Sequence, residues 1–489
     1  MNKLRTMLNP RAIALIGATD REESIGLAVL KNLLKAPHRP VYPVNPGKEV
    51  ILGMSCFPSV REAPSPVDLA VIVTPARSVP AIVDECGQAG VAGAIILSAG
   101  FSESGPEGKV LENEVNEIRK RYKLRVIGPN CLGVIIPRLK LNATFLSIDA
   151  RPGKIAFLSH ALGEELLEWG GTVGIGFSMF ASLGSLIDVG FGDLIDFLND
   201  DFKTRSIMIY MEHVEDPRHF ISAGRGFALT KPIVVLKAGR SPEGSRIIAD
   251  RTGRPTGDDR VYDAVFKRIG MMRVSEVRDL IGLAEVLDSR HLPTSPNLTV
   301  ITNDGGVGVI AADALKERNG HLSEISDDLA EHLEQFLPKH WLRHNPIDIM
   351  ADADTRRYVD TVRACLHAKD VDGILVIYTP RPASDAVEVA NAIVALYRAT
   401  PKPIIAVCMG GKRAAKGRRA LLAGNVPAYA TPEEAIKTYM YMYGYRRNIE
   451  LLYETPAEVM QEESPFKEVI KNAFRDAAEK IDPRLDAKH

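Results

Sequence analysis

The sequence predicts an α/β protein built of three successive parallel-sheet units, and three observations predict it. The chain has 489 residues, more than one hydrophobic core organises at a prior of one domain per ~150 residues. Short continuous apolar runs alternate with longer amphipathic stretches, the pattern of parallel strands covered on both faces by helices. Many of the runs end in glycine, proline or asparagine, at the strand ends where open parallel sheets bind ligands.

The first unit opens with the apolar run 12–16, which ends in Gly17-Ala18-Thr19, and an amphipathic helix is expected over 25–34. Strands follow at 41–44, 69–73 and 94–97, then a helix rich in Glu and Lys, then a strand at 125–128. This doubly wound unit ends near Lys140 (residues 1–140). A second unit, 150–290, has strands at 154–158, 206–210 and 232–236 and a closing helix with Ser275 as N-cap. The polar, proline-bearing stretch 291–297 is a linker. A third unit, 297–455, carries strands at 298–302, 373–378 and 403–407, and a charged helical tail is expected over 456–489.

Forty-five per cent apolar and 25% charged residues exclude a disordered or collagen-like chain. Sixty-one Lys and Arg against 62 Asp and Glu leave a formal charge of −1, so no global attraction to nucleic acid or anionic membrane is expected. The five cysteines Cys56, Cys86, Cys131, Cys365 and Cys408 lack CxxC or metal-ligand spacing, which reads as reduced, buried thiols and no metal site. No apolar run approaches the ~20 residues of a membrane span, and the N-terminus lacks a leader pattern. A soluble cytoplasmic protein is expected.

Gly17-Ala18-Thr19 alone is weak evidence for a ligand loop, since a glycine that ends a strand is as often a tight turn. Its company strengthens it. Pro43, Asn45 and Lys48, then Thr74 and Pro75, then Ser98 and Gly100, then Asn130 all fall at strand ends and crowd one rim. Small residues there let a phosphate approach the backbone, and the helix that follows offers its N-terminus to an anion.

The segments IALIGAT, YPVNPGK, DLAVIVTPA, ILSAGFSESG and VIGPNCLG together resemble the CoA-binding domain of the NDP-forming acyl-CoA synthetases, the superfamily of succinyl-CoA synthetase and ADP-forming acetate–CoA ligase. The stretch 237–274 is similar to their second domain, and ITNDGGVGVIAADAL with NPIDI to their third. The resemblance spans about residues 1–450. It implies a Rossmann-like CoA-binding domain followed by two flavodoxin-like domains. It also implies an alpha-type subunit that joins an acid to CoA with ATP, giving ADP and phosphate. ATP, ADP and Mg would be bound only by a separate ATP-grasp subunit, for which this chain has no counterpart, and a homo- or hetero-oligomer is expected. The CoA residues it implies are Gly17, Ala18, Thr19, Pro43, Asn45, Lys48, Thr74, Pro75, Ser98, Gly100 and Asn130.

The family's mechanism runs through a phosphohistidine in a mobile segment, Ser-His-Thr-Gly-Ala-Leu-Ala-Gly. Here the aligned residues run from Asp250 to Gly257, with Arg251 at the nucleophile position. A guanidinium stays protonated and cannot accept a phosphoryl group. Pro255 stiffens the segment. Asp250, Asp258 and Asp259 are the expected ion partners of Arg251. The phosphate loop that opens the second domain is altered too, reading Ser159-His160-Ala161-Leu162-Gly163, with Glu164 and Glu165 in the first helical turn, where two carboxylates oppose a bound phosphate.

Other family positions persist. Glu212 matches the glutamate that supports the phosphohistidine, against a reading as an ordinary strand-end acid. Gly305 and Gly306 match the second phosphate loop, against a plain strand–helix turn. His160 is expected to face the vacated phosphoryl site beside Glu212 and Gly305-Gly306, of this chain or its dimer mate, and to take over any surviving transfer, against a structural role in the shortened loop. His213 is the second candidate after His160, because strand neighbours face opposite ways. Cys131 as a nucleophile and His340 with His344 as metal ligands are the weaker readings, the first lacking a His-Asp pattern and the second bracketed by Pro338 and Pro346 in a loop. Against the ligase stand a non-catalytic or regulatory CoA- or acyl-CoA-binding subunit, and a CoA-linked transferase or lyase that uses no ATP.

Overall fold

Along the strand Ile13–Ile16, alternation puts Ile13 and Leu15 on one face and Ala14 and Ile16 on the other, and all four are buried. Leu69 and Val71 join the first set, while Ala70 and Ile72 join the second. A sheet buried on both faces is what continuous apolar runs require. Each such Ile or Leu contributes about 1.5–3 kcal/mol on burial, and Leu15→Ala would cost about 2–5 kcal/mol. The computed structural model describes residues 3–172, 174–287 and 291–453.

The first sheet is parallel throughout, in the order Val41–Val44, Ile13–Ile16, Leu69–Ile72, Gly93–Ile96, Arg125–Ile127. Its strand order reverses between Ile13–Ile16 and Leu69–Ile72, so Gly17 and Thr74 flank the crevice where such sheets hold ligands. The helix Ile25–Leu34 falls where its periodicity placed it, with the Ser24 hydroxyl accepting from Leu27 N–H at 3.2 Å.

The second sheet runs Met272–Val274, Ile233–Lys237, Ser206–Met211, Pro152–Ser159, Phe177–Ser182, and then an antiparallel hairpin, Gly133–Ile136 with Leu141–Thr144. Residues 133–140, read with the first unit, thus cross over: the first sheet stops at Ile127, and Ile135 and Val134 pair with Phe180 and Ala181. One apolar cluster therefore runs from Leu15 through Val134 to Ile209, so the two units share a core. The closing helix is Val277–Val286 with Glu276, not Ser275, as N-cap.

The third sheet is parallel: His321–Leu322, Asn297–Thr302, Ile374–Tyr378, Ile404–Cys408, Ala428–Tyr429, with Ile347–Asp348 beside the end of Asn297–Thr302. The helix Pro432–Tyr453 packs on the helix Gly305–Glu317 and touches Val277–Val286, and the Tyr439 hydroxyl donates to Asn297 O at 2.5 Å. The expected tail over 456–489 lies outside the described residues. Among the described residues no helix is long and apolar enough to cross a membrane.

Candidate active site

Parallel strands end on one edge, and that edge of the first sheet carries the expected rim. Gly17 has φ 92°, and a Cβ there would lie 3.0 Å from Thr74 Cγ2, so the loop needs glycine. Asn45 Nδ2 donates to Ala18 O at 2.8 Å, and its Oδ1 accepts from Gly47 N–H at 2.9 Å. Ala18 and Pro43 are buried, so they shape the loop from beneath. Lys48 pairs with Asp20 at the mouth. Gly100 has φ 109°, and Asn130 N–H donates to Ser98 O at 2.9 Å. The hydroxyls of Thr74 and Ser98 are buried without a partner among the described residues. Two unpaired hydroxyls, a loop that admits close approach and a lysine fit a phosphate-bearing ligand such as CoA.

The second sheet presents its own edge to this rim. His160 follows the strand Pro152–Ser159, and Glu212 follows Ser206–Met211. His160 Nδ1 accepts from Glu212 N–H at 3.1 Å, which fixes the neutral ring with its proton on Nε2. That Nε2 is buried with no partner among the described residues. Burial, then the neighbouring His213, Arg251 and Lys237, hold His160 well below its ordinary range, so it is neutral. The Glu212 side chain is only 2% exposed, and its Oε1 accepts from Tyr210 Oη at 3.2 Å and from Arg251 Nη2 at 2.5 Å. Burial and the Glu212 carboxylate push Tyr210 up to about 12.

Arg251 lies in the last turn of the helix Pro242–Thr252, whose C-cap is Gly253 with φ 70°. Its partner is therefore Glu212 and not the sequence-adjacent acids expected: Asp258 pairs with Arg260, and Asp259 with Arg273. Arg254 Nη2 reaches Glu112 of the first unit at 2.9 Å, and its Nη1 pairs with Glu215. The nearby His213 Nε2, 3.3 Å away, and Arg254 bring Glu215 down to about 2. Glu103, Asn130, His160, Ser185, Glu212 and Arg251 are among the residues that line a cavity of about 40 Å³ between the units. A space of that size holds one or a few waters.

The expectations for this edge meet three differences. His160 stands beside Glu212 as expected, but with Nε2–H a donor. To attack a phosphoryl group the proton would have to move to Nδ1 and displace the Glu212 N–H bond, so the geometry fits donation to an oxyanion and not nucleophilic attack. Gly305 and Gly306 of the same chain are not among the residues that line this cavity, so the within-chain form of that expectation is not met. They open the helix Gly305–Glu317, capped by Asp304 and faced by Asp348, whose Oδ2 would be 2.9 Å from a Cβ on Gly305. His213 packs 4.5 Å from His160, ring to ring, because the strand has ended at Met211 and alternation no longer applies. Ser159 is buried, its hydroxyl without a partner among the described residues, and Glu164 and Glu165 occupy the first turn of the helix Glu164–Thr172. Tyr210, Glu215, Arg254 and Glu112 were missed; for the first two the signal was the dense run of titratable residues from Tyr210 to Glu215.

Cys131 is fully enclosed, and burial pushes its thiol up to about 12, which removes it as a nucleophile. Asn345 holds its loop by donating to Leu298 O and Ser323 O and accepting from Val300 N–H. Among the described residues no cluster of three His, Cys, Asp or Glu could hold a metal.

Residues 11–137 match the family described as a CoA binding domain, 152–287 the succinyl-CoA ligase like flavodoxin domain, and 298–452 the ligase-CoA domain. The alpha subunit of ADP-forming acetate–CoA ligase I from Pyrococcus furiosus is 37% identical over 453 residues, covering 91% of this chain and 98% of that one. The ADP-forming 4-hydroxybutyrate–CoA ligase of Nitrosopumilus maritimus is 33% identical over 442 residues; the match covers 89% of this chain and only 63% of that longer one. The solved structure of Ca. Korarchaeum cryptofilum dinucleotide forming acetyl-coenzyme A synthetase 1, in complex with phosphate and ADP, superposes with a TM-score of 0.84 at 34% identity, covering 94% of this chain and 100% of that one.

Proposed function

The chain belongs to the ADP-forming acyl-CoA ligases as their alpha-type subunit, and on that premise we propose that it binds CoA at the strand-end rim of its first unit and does not carry a phosphoryl group on residue 251. The observation behind this reading is the Arg251–Glu212 pair; on the family resemblance residue 251 stands at the phosphohistidine position, and a guanidinium has no lone pair to give. CoA, where bound, supplies the thiol that takes the acyl group. Gly17, Thr19, Thr74, Ser98 and Lys48 hold its phosphates and chain, while the neutral His160 offers Nε2–H toward developing negative charge. The nucleotide and Mg belong to an ATP-grasp partner chain, and the ligation of acid, CoA and ATP to acyl-CoA, ADP and phosphate is the reaction of that complex.

A ligase assay with acid, CoA and ATP, with and without the ATP-grasp partner, tests the reading, alongside calorimetry of CoA binding. CoA binding with no acid-stable or acid-labile phosphoryl on residue 251 supports it; label at that residue overturns it. The same closed pair favours a second reading, a regulatory CoA-binding subunit, which predicts CoA binding with no ligation in the presence of the partner.

A further inference from the structure

Residues 251–254 touch both units at once. Arg251 holds the almost fully buried Glu212 of the second unit at 2.5 Å. Three residues on, Arg254 reaches Glu112 at 2.9 Å on the helix Pro106–Tyr122 of the first unit, where the carboxylate is only 8% exposed. The other oxygen of Glu112 accepts from Ser102 Oγ at 2.6 Å. Between the two arginines, Gly253 lies so close to the first unit that a Cβ would sit 3.2 Å from Ser102 O.

Ser102 belongs to the loop that follows Ser98 and Gly100. Glu103 Oε1 closes that loop by accepting from Gly100 N–H and Phe101 N–H at 2.7 and 3.1 Å. Hydrogen bonds therefore run from Arg254 through Glu112 to Ser102, and the backbone carries the connection on to Glu103, which holds Gly100 at the rim. A buried carboxylate held by two donors is rigid; with one donor removed it turns toward water and releases the other.

We propose that Arg254 is a positioning residue for the CoA site and that Arg251 and Arg254 form a two-point clasp, Arg251 pinning residues 251–254 to Glu212 of the second unit and Arg254 pinning them to Glu112 of the first. Arg254 touches no reacting atom. It acts through Glu112 and Ser102 on the loop that carries Ser98 and Gly100. The inference rests on the reading that the first unit binds CoA, but the clasp itself does not.

Two measurements on the intact chain separate these. Calorimetry with CoA should show Arg254→Gln binding about tenfold more weakly, about 1.4 kcal/mol. Arg254→Lys should recover most of that loss, and Ser102→Ala should weaken CoA by a similar factor without shifting the unfolding midpoint. Hydrogen exchange should find the amides of residues 99–104 and 251–254 protected in the parent and faster in Arg254→Gln. Wild-type CoA affinity in a folded Arg254→Gln and in Ser102→Ala overturns the positioning role. Unprotected 251–254 amides in the parent overturn the clasp. A parent that binds no CoA sinks the positioning role with the CoA reading, while the exchange arm still decides the clasp.

Discussion

Glu212 and Arg251 meet at 2.5 Å, the carboxylate 2% exposed and the guanidinium 51% exposed. The buried member depends on the half-exposed one, and Tyr210 is its other side-chain partner among the described residues. Arg251→Ala leaves a buried carboxylate with one neutral donor. Breaking a buried pair is costly, but the exposed arginine is screened, so about 1–2 kcal/mol of stability should be lost. Glu212→Gln should lose less, because the amide oxygen still accepts. Urea unfolding midpoints check both; an Arg251→Ala midpoint equal to the parent's refutes the dependence.

Restoring the histidine should not restore the phosphoenzyme. In Arg251→His the imidazole faces Glu212, yet Glu164 and Glu165 still occupy the first helical turn where a phosphate needs free N–H groups. Radiolabelled ATP with the ATP-grasp partner should leave both the parent and Arg251→His unlabelled at residue 251. Label on the variant would show that the nucleophile was the sole loss.

The two-sided burial of the first sheet was legible because Ile13, Ala14, Leu15 and Ile16 are all apolar, and the rim was legible because small residues sit at successive strand ends. The destination of the hairpin Gly133–Ile136 and Leu141–Thr144 was not, since its strands are plain locally and the partner Phe177–Ser182 lies more than thirty residues on. That partner escaped notice too, because its two serines, Ser178 and Ser182, are buried in the sheet and break the apolar run. The reading of Arg251 at the nucleophile position rests on one position of the sequence. Its partner was not legible, because Glu212 lies 39 residues away while three acids lie close in sequence. Ion pairing across a fold is set by strand order, which the local pattern does not encode.

CoA binding should follow charge and space at the rim. Lys48→Glu replaces a half-exposed cation beside Asp20 and should weaken CoA at least fivefold, about 1 kcal/mol, with little change in the unfolding midpoint. Gly17→Glu should abolish binding, since φ 92° and the contact with Thr74 leave no room for a side chain. Calorimetry at two salt concentrations separates the charge effect from the steric one: only the Lys48→Glu loss should shrink as salt rises.

The thiols should be inert in the folded chain. Burial raises Cys86, Cys131 and Cys365 each to about 12, so a thiol reagent at pH 8 finds almost no thiolate. Rapid labelling of Cys131 without denaturant would contradict its enclosure and reopen a chemical role for it.

Acid should destabilise the fold through His160. The residue is 6% exposed and its imidazole is held neutral. The unfolded chain titrates near 6.5, and the folded ring well below, because it is buried and because Arg251 and Lys237 oppose a further positive charge. The neutral ring's contribution is fully present above that unfolded value. As pH falls below it, the unfolded state takes up a proton that the folded state refuses, so stability drops by up to ~1.4 kcal/mol per pH unit until the folded ring also titrates. His160→Asn keeps an acceptor for Glu212 N–H and removes the titration. Urea unfolding between pH 7 and pH 5 should therefore show a shallower loss in the variant than in the parent, with equal slopes above pH 7. Parallel slopes across the whole range would mean that His160 takes its proton in the folded state, and the assignment of Nε2–H as a fixed neutral donor would fall with them.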